Sequence, residues 1–227
     1  YAFFALYASI DKFDPSLYPG WKPSAASRMD RYILSRLNGL IKFVDGELDQ
    51  YRVTEASRAI DEFVDDLSNW YLRRCRERYW GSEMTDDKRD AYMTLYTVLT
   101  TLSKLAAPFV PFMTEAMYQN LVRTVDTSAP ESVHLCAFPE WDESLIDTAL
   151  EKDMSDVKQI VVAGRSARNA ASLKNRQPLA RLIVKCAFDA PEDESVSIIA
   201  DELNVKKVEF THDARAYTTY TLKPQLR

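Results

Sequence analysis

Apolar residues recur at three- and four-residue steps along the first half of the chain. Met29, Ile33, Leu37, Leu40, Ile41, Val44 and Leu48 form one stripe, and Ala56, Ile60, Phe63, Val64, Leu67 and Tyr71 a second. Tyr92, Leu95, Tyr96, Leu99, Leu102 and Leu105 make a third; Met113, Met117, Tyr118 and Leu121 make a fourth. Such spacing puts each set on one side of a helix. Ser24 is placed to cap the first helix, which runs to about Gln50, and Thr54 to cap the second. Gly81–Asp87 reads as a turn. Pro108 disfavours helix at Ala107 and so ends the third helix, while Pro111 suits the first position of a fourth, to about Val125. Short connections join antiparallel neighbours, so this part predicts a four-helix bundle.

The flanks read differently. The opening YAFFALYASIDKFDPSLYPGWKPS is a helix end followed by an extended connector. DTSAPES is a linker, VHLCAFPEW is extended, and a fifth helix spans about Ser144 to Ala171. Beyond Pro178, RLIVKCAF and VKKVEF are strand-like and VSIIADELN between them is helical. The expected fold is therefore mainly α: an antiparallel helical bundle with a small C-terminal α+β appendage. Its divisions are a connector over 1–23, a helical domain over 24–177 and the appendage over 178–227.

Composition narrows the chemistry. With 34 acids against 29 bases and a net charge of −5, the chain is not a basic nucleic-acid binder on average, which leaves local basic patches open. Three scattered cysteines with no C-x-x-C pair suggest neither a zinc site nor disulfides, and favour a reducing cytoplasm. Two histidines without flanking motifs offer no triad, and no Gly-rich phosphate loop occurs. No run is apolar enough for a membrane span. No residue reads as catalytic or as a metal ligand. Starting on Tyr1 and stopping on TLKPQLR, the chain is expected to be a piece of a longer one.

Two stretches break the acidic pattern. NWYLRRCRERYW (69–80) packs four arginines among aromatic residues. Projected at 100° per residue, Arg74 and Arg78 continue the line of Ile60, Leu67 and Tyr71, while Arg73, Arg76 and Trp80 face away. The second is AGRSARNAASLKNRQPLARL, where Lys158, Arg165 and Arg168 share one helical face opposite Ile160, Ala163, Ala167 and Ala171, and Lys174 and Arg176 fall in the following loop. Either patch can be a solvated helix face. Guanidinium groups interleaved with aromatics are also the apparatus for phosphates and unstacked bases.

Read in order, DRYILSRLN (30–38), DDLSNWYLRRCRERYW (65–80), APFVPFMTEAMYQNL (107–121), NAASLKNRQPL (169–179) and IADELNVKKVEF (199–210) resemble the isoleucyl-tRNA synthetase family, in the region that follows the catalytic core. YASIDKFDP (7–15) matches more loosely. The resemblance implies the anticodon-binding fold of class I aminoacyl-tRNA synthetases, and a parent enzyme that activates isoleucine with ATP and Mg and charges tRNA(Ile). It makes residues 1–23 the connector from that core. It implies docking of the tRNA(Ile) anticodon stem-loop, with Arg73, Arg74, Arg76, Arg78 and Trp80 as RNA-facing residues and Lys174, Arg176 and Gln177 as a second set. Nucleotide-binding signatures, editing domain and the C-terminal zinc-binding part of many relatives are absent, so this piece is expected to bind RNA without charging it and to need no cofactor. It is expected to be monomeric and cytoplasmic, with no membrane or DNA partner. The alternatives are the equivalent domain of a valine or leucine enzyme, or a helical protein-interaction scaffold.

Overall fold

The computed structural model describes residues 1–22, 27–186, 191–213 and 215–217, and the apolar stripes become helices there. In chain order these are α1 (Ala2–Asp11), α2 (Arg28–Asp49), α3 (Val53–Asp66), α4 (Asp86–Leu105), α5 (Pro111–Tyr118), α6 (Thr148–Ala170), and α7 (Asp193–Leu203). Two strands, β1 (Leu182–Lys185) and β2 (Val208–Thr211), flank α7. The chain falls into two compact units, Tyr1–Thr148 and Ala149–Arg227. α6 thus belongs with the β–α–β ending, whereas the sequence pattern draws its line at 177/178.

In the first unit α2 packs against α3 and α4, and α4 against α5. Ile33, Ile41, Val44, Phe63, Tyr71, Tyr92, Val98 and Leu105 from successive helices meet in one buried cluster. α1 lies against α4: the rings of Phe13 and Tyr92 stack at 4.6 Å, and Lys88 Nζ reaches Asp11 Oδ2 at 2.6 Å. Ser27 caps α2 in a full capping box, its hydroxyl accepting the Asp30 N–H while the Asp30 carboxylate accepts the Ser27 N–H. The expected cap, Ser24, lies outside the described residues.

Other expected boundaries shift for local reasons. α3 starts at Val53 without a side-chain cap, so Thr54 is not its cap. α2 ends with Tyr51 in the left-handed region (φ 59°), and a single residue, Arg52, then completes the reversal. The fifth helix begins at Thr148 rather than Ser144, because Asp142 accepts the Ser144 N–H and closes a separate 3-10 turn, Glu143–Leu145. The VHLCAFPEW segment contains a 3-10 turn over Val133–Leu135. Where the chain returns along α2, the Asp142 N–H donates to Asn38 Oδ1 at 2.8 Å and the Asp147 N–H to Ser35 Oγ at 2.8 Å. Those bonds explain two polar side chains on the buried face of α2, since a buried polar atom needs a partner.

In the second unit β1 and β2 pair in parallel, Leu182 opposite Val208 and Lys185 opposite Thr211, with α7 as the crossover. α7 packs on α6 at Gly164, where a Cβ would collide with Leu203.

Four helix ends share one device. Lys12, Tyr51, Ser172 and Asn204 are the positive-φ residues among those described, and each lies just past a helix. At each, N–H groups fold back onto the last carbonyls, for example Arg52 N–H to Glu47 O at 2.9 Å and Leu173 N–H to Arg168 O at 2.8 Å. In a chain with five glycines, these positions hold side chains where glycine would be unstrained. Replacing Tyr51, 92% exposed, by glycine is therefore expected to raise unfolding free energy by about 0.5–1 kcal/mol, read by urea denaturation.

Candidate nucleic-acid interface

The arginine-rich stretch is the unbroken continuation of α3, but not as an α-helix. Leu67–Leu72 is π-helical, Arg73–Cys75 a single α turn and Arg76–Tyr79 a 3-10 turn. A π turn takes up one extra residue and rotates everything after it. Cys75 and Tyr79 thereby occupy the line that an unbroken α-helix gives to Arg74 and Arg78, and both are buried with Tyr71 and Trp70. Arg74 and Arg78 sit half-buried on the flank of that row, while Arg73, Arg76 and Trp80 are exposed. The outward group is as the spacing predicts; the inward row is not.

Arg78 is committed within the protein. Its two terminal nitrogens each lie 2.8 Å from an oxygen of Asp30, in a bidentate pair, and its Nε donates to Asp87 Oδ2 at 2.9 Å. Asp30 has no exposed surface, and also accepts the Tyr71 hydroxyl at 2.6 Å and the Ser27 hydroxyl at 2.9 Å. Burial alone would weaken the Arg78 cation, but its hydrogen bonds to Asp30 and Asp87 outweigh that and hold its pKa above the ordinary arginine value. Asp30 opens α2, Arg78 ends the α3 continuation and Asp87 opens α4, so one guanidinium joins three helix ends. The sequence holds a partial signal for this, an S-x-x-D cap at 27–30, but not its partner.

The outward group presents charge beside rings. The Arg73 guanidinium lies 5.9 Å over the Trp70 ring and its Nε donates to the Asn69 carbonyl at 2.9 Å. Trp80 is 57% exposed, with its indole N–H donating to the Tyr7 hydroxyl at 3.2 Å, which fixes the ring's edge and leaves its face open. Arg76 is exposed one helical step from each. Such a set can hold phosphates and stack on a base.

In the second unit, Lys174, Arg176 and Gln177 are all exposed on the loop after α6. Arg168 does not share a solvated face with Lys158 and Arg165. The buried row of α6 runs Leu150, Met154, Val157, Ile160, Val161, Gly164 and Arg168, and Ala163, Ala167 and Ala171 are exposed. Alanine is a weak marker of burial, and the spacing of Ala163, Ala167 and Ala171 follows a face other than the buried Leu150–Gly164 row. Among the described residues no three of His, Cys, Asp and Glu are gathered as a metal site requires. No helix there is long and apolar enough to cross a membrane.

The described residues define a mainly α, helical-bundle class of protein with a small parallel β–α–β ending. The family model described as the anticodon-binding domain of tRNA ligase matches residues 30–184, and the chain belongs to that family. Its relatives include isoleucine–tRNA ligases. It is 55% identical over its full length to the isoleucine–tRNA ligase of Clostridium acetobutylicum, covering 21% of that protein. It is 51% identical, again over its full length and 21% of the relative, to that of Clostridium novyi. Over 91% of the chain it is 49% identical to the isoleucine–tRNA ligase of Dehalococcoides mccartyi strain CBDB1, covering 20% of it. The chain thus spans about a fifth of the length of the curated relatives it matches.

Two outcomes follow from the Arg78 cluster. Arg78→Ala strands a buried carboxylate and is expected to cost roughly 3–5 kcal/mol in urea unfolding, against under ~0.5 kcal/mol for Arg76→Ala. Beside it, burial pushes the Cys75 thiol from 9.0 up to about 12, and burial likewise raises the Tyr71 and Tyr79 phenols well above 10.0. The folded state holds these protons longer than the unfolded chain does. The stability they confer is fully present below pH 9 and drains away as pH climbs towards 12. Urea midpoints measured across that range should decline, and decline less in Cys75→Ala.

Proposed function

We propose that this chain is the anticodon stem-loop-binding part of an isoleucine–tRNA ligase. The parent enzyme activates isoleucine with ATP and Mg and attaches it to tRNA(Ile) in the cytoplasm, and that chemistry belongs to polypeptide outside this chain. Here the work is recognition by a monomeric module. Arg73 and Arg76 bind loop phosphates, and the open face of Trp80 stacks on a splayed base. In the second unit Lys174, Arg176 and Gln177 make a separate set of contacts. The observation that carries this reading is the partition within 69–80. One arginine, Arg78, is consumed by Asp30 and Asp87, while Arg73, Arg76 and Trp80 are turned outward together. A solvated helix end has no need of an open tryptophan beside two exposed arginines, and family membership supplies the ligand class.

Because Arg78 braces the bundle, reversing its charge would test folding rather than binding. The informative variant is Arg73→Glu/Arg76→Glu. Gel shifts with isoleucine, valine and leucine tRNA transcripts should give preferential binding of the isoleucine species, weakening steeply as salt rises. The double variant should lose roughly ten-fold or more in affinity, with an unchanged melting temperature. Salt-insensitive binding, or full affinity in the double variant, would overturn the assignment; capture of all three tRNAs equally would overturn the isoleucine specificity.

A further inference from the structure

Arg168 is the most buried arginine that the reading above leaves without a task. It is 5% exposed, and its nitrogens donate only to carbonyl oxygens. Nη1 binds Leu203 O at 3.1 Å, and Nη2 binds Lys174 O at 2.5 Å, Asn175 O at 3.3 Å and the carbonyl of Gln177. Among the described residues no carboxylate pairs with it, and its Nε is buried without a partner. The Arg168 carbonyl is used as well: it accepts the Leu173 N–H, closing the turn at Ser172 that starts the loop.

A loop whose carbonyls at 174, 175 and 177 converge inward on one guanidinium must send its side chains outward, and Lys174, Arg176 and Gln177 are exposed. Their reach is set by a backbone with few alternatives. The buried positive charge, uncancelled by an acid, also adds to the field of the two exposed cations. A lysine could not replace it: an ammonium is a point donor, whereas this cluster needs a planar fork reaching carbonyls on two sides.

We propose that Arg168 is a positioning residue, which holds the 172–178 loop in the conformation that presents Lys174 and Arg176 to RNA phosphates. This rests on the anticodon-binding reading and assigns to it a residue that never touches the ligand. Preorganisation of this kind spares the complex the entropy of ordering the loop.

The test uses the 227-residue chain and an isoleucine tRNA transcript. Lys174→Ala/Arg176→Ala should reduce the slope of log affinity against log salt by about 1.4, from two contacts to unpaired RNA. Arg168→Lys, although buried and of unchanged charge, should reduce the slope by a similar amount. Added to the double variant it should change affinity no further, since it acts through the side chains already removed. A merely structural arginine would lower the melting temperature and leave the slope alone. Additive losses, or a wild-type slope in Arg168→Lys, overturn the proposal. A second arm needs no variant. If the clamp holds, trypsin should cut the wild-type chain after Lys174 and Arg176 only through unfolding, at a rate rising steeply with urea; rapid, urea-independent cutting overturns the clamp. If wild-type chain binds no tRNA, the anticodon-binding reading falls with the RNA role of Arg168, and the trypsin result alone then decides the clamp. If wild type binds and Lys174→Ala/Arg176→Ala binds equally well, only the present proposal falls.

Discussion

The helical unit is organised around a carboxylate that has no contact with water. Asp30 takes two guanidinium bonds from Arg78, one hydroxyl bond from Tyr71 and another from Ser27. A buried charge this well satisfied gives little net stability over an apolar substitute, but any change that removes one partner exposes the cost of the rest. Its consequence is geometric. Asp30 belongs to the cap of α2, Arg78 to the end of the α3 continuation, and Asp87, which Arg78 also binds, to the start of α4. The pair therefore fixes the end of the bundle at which Arg73, Arg76 and Trp80 emerge. The π turn is part of the same arrangement, because it lets Cys75 and Tyr79 fill the core and puts Arg78 at the flank, where it reaches Asp30.

Arginine does two kinds of work in this chain, and its name alone does not say which. Arg78 clamps a carboxylate. Arg123 in the first unit clamps the carbonyls of Thr127 and Ala129, and Arg168 in the second clamps those of its own loop. Each exploits the width of the guanidinium fork to hold an irregular segment without glycine or metal. Arg73, Arg76 and Arg176 instead carry their charge at the surface, as isolated basic features on a chain of net charge −5. On a chain with more acids than bases, these stretches are the places proposed for phosphate contact.

This division also marks how far the sequence could be read. The 3.6-residue repeat located α2, α4 and most of α3, because burial of one face imposes that period whatever the partner. Pro111 started α5 as its missing N–H allows, and the β–α–β ending followed from alternating apolar runs. The π turn was illegible, since LSNWYL carries no residue that demands it. Ion pairing was illegible too: Asp30 and Arg78 are 48 positions apart, and nothing local distinguishes Arg78 from Arg76. The direction of the outward group could be read, because it needs only the period. Arg168 was misread, as a charged residue on a helix looks solvated until its carbonyl partners are known, although it falls four residues after the buried Gly164.

What the two clamps have in common bears on recognition. A surface that binds a flexible RNA loop must either pay to order itself or be ordered beforehand. Here the residues proposed to meet RNA sit two to nine positions from an arginine whose bonds are all to the protein. Arg76 precedes Arg78 by two, and Lys174 and Arg176 follow Arg168 by six and eight. On that proposal the same residue type supplies both the contact and the brace. Charge reversal across a basic stretch then cannot separate the two roles, whereas the number of phosphate contacts can. A contact residue changes the salt dependence and not the fold; a brace such as Arg78 changes the fold; and a brace that acts only on a loop, the role proposed for Arg168, changes the salt dependence through side chains other than its own.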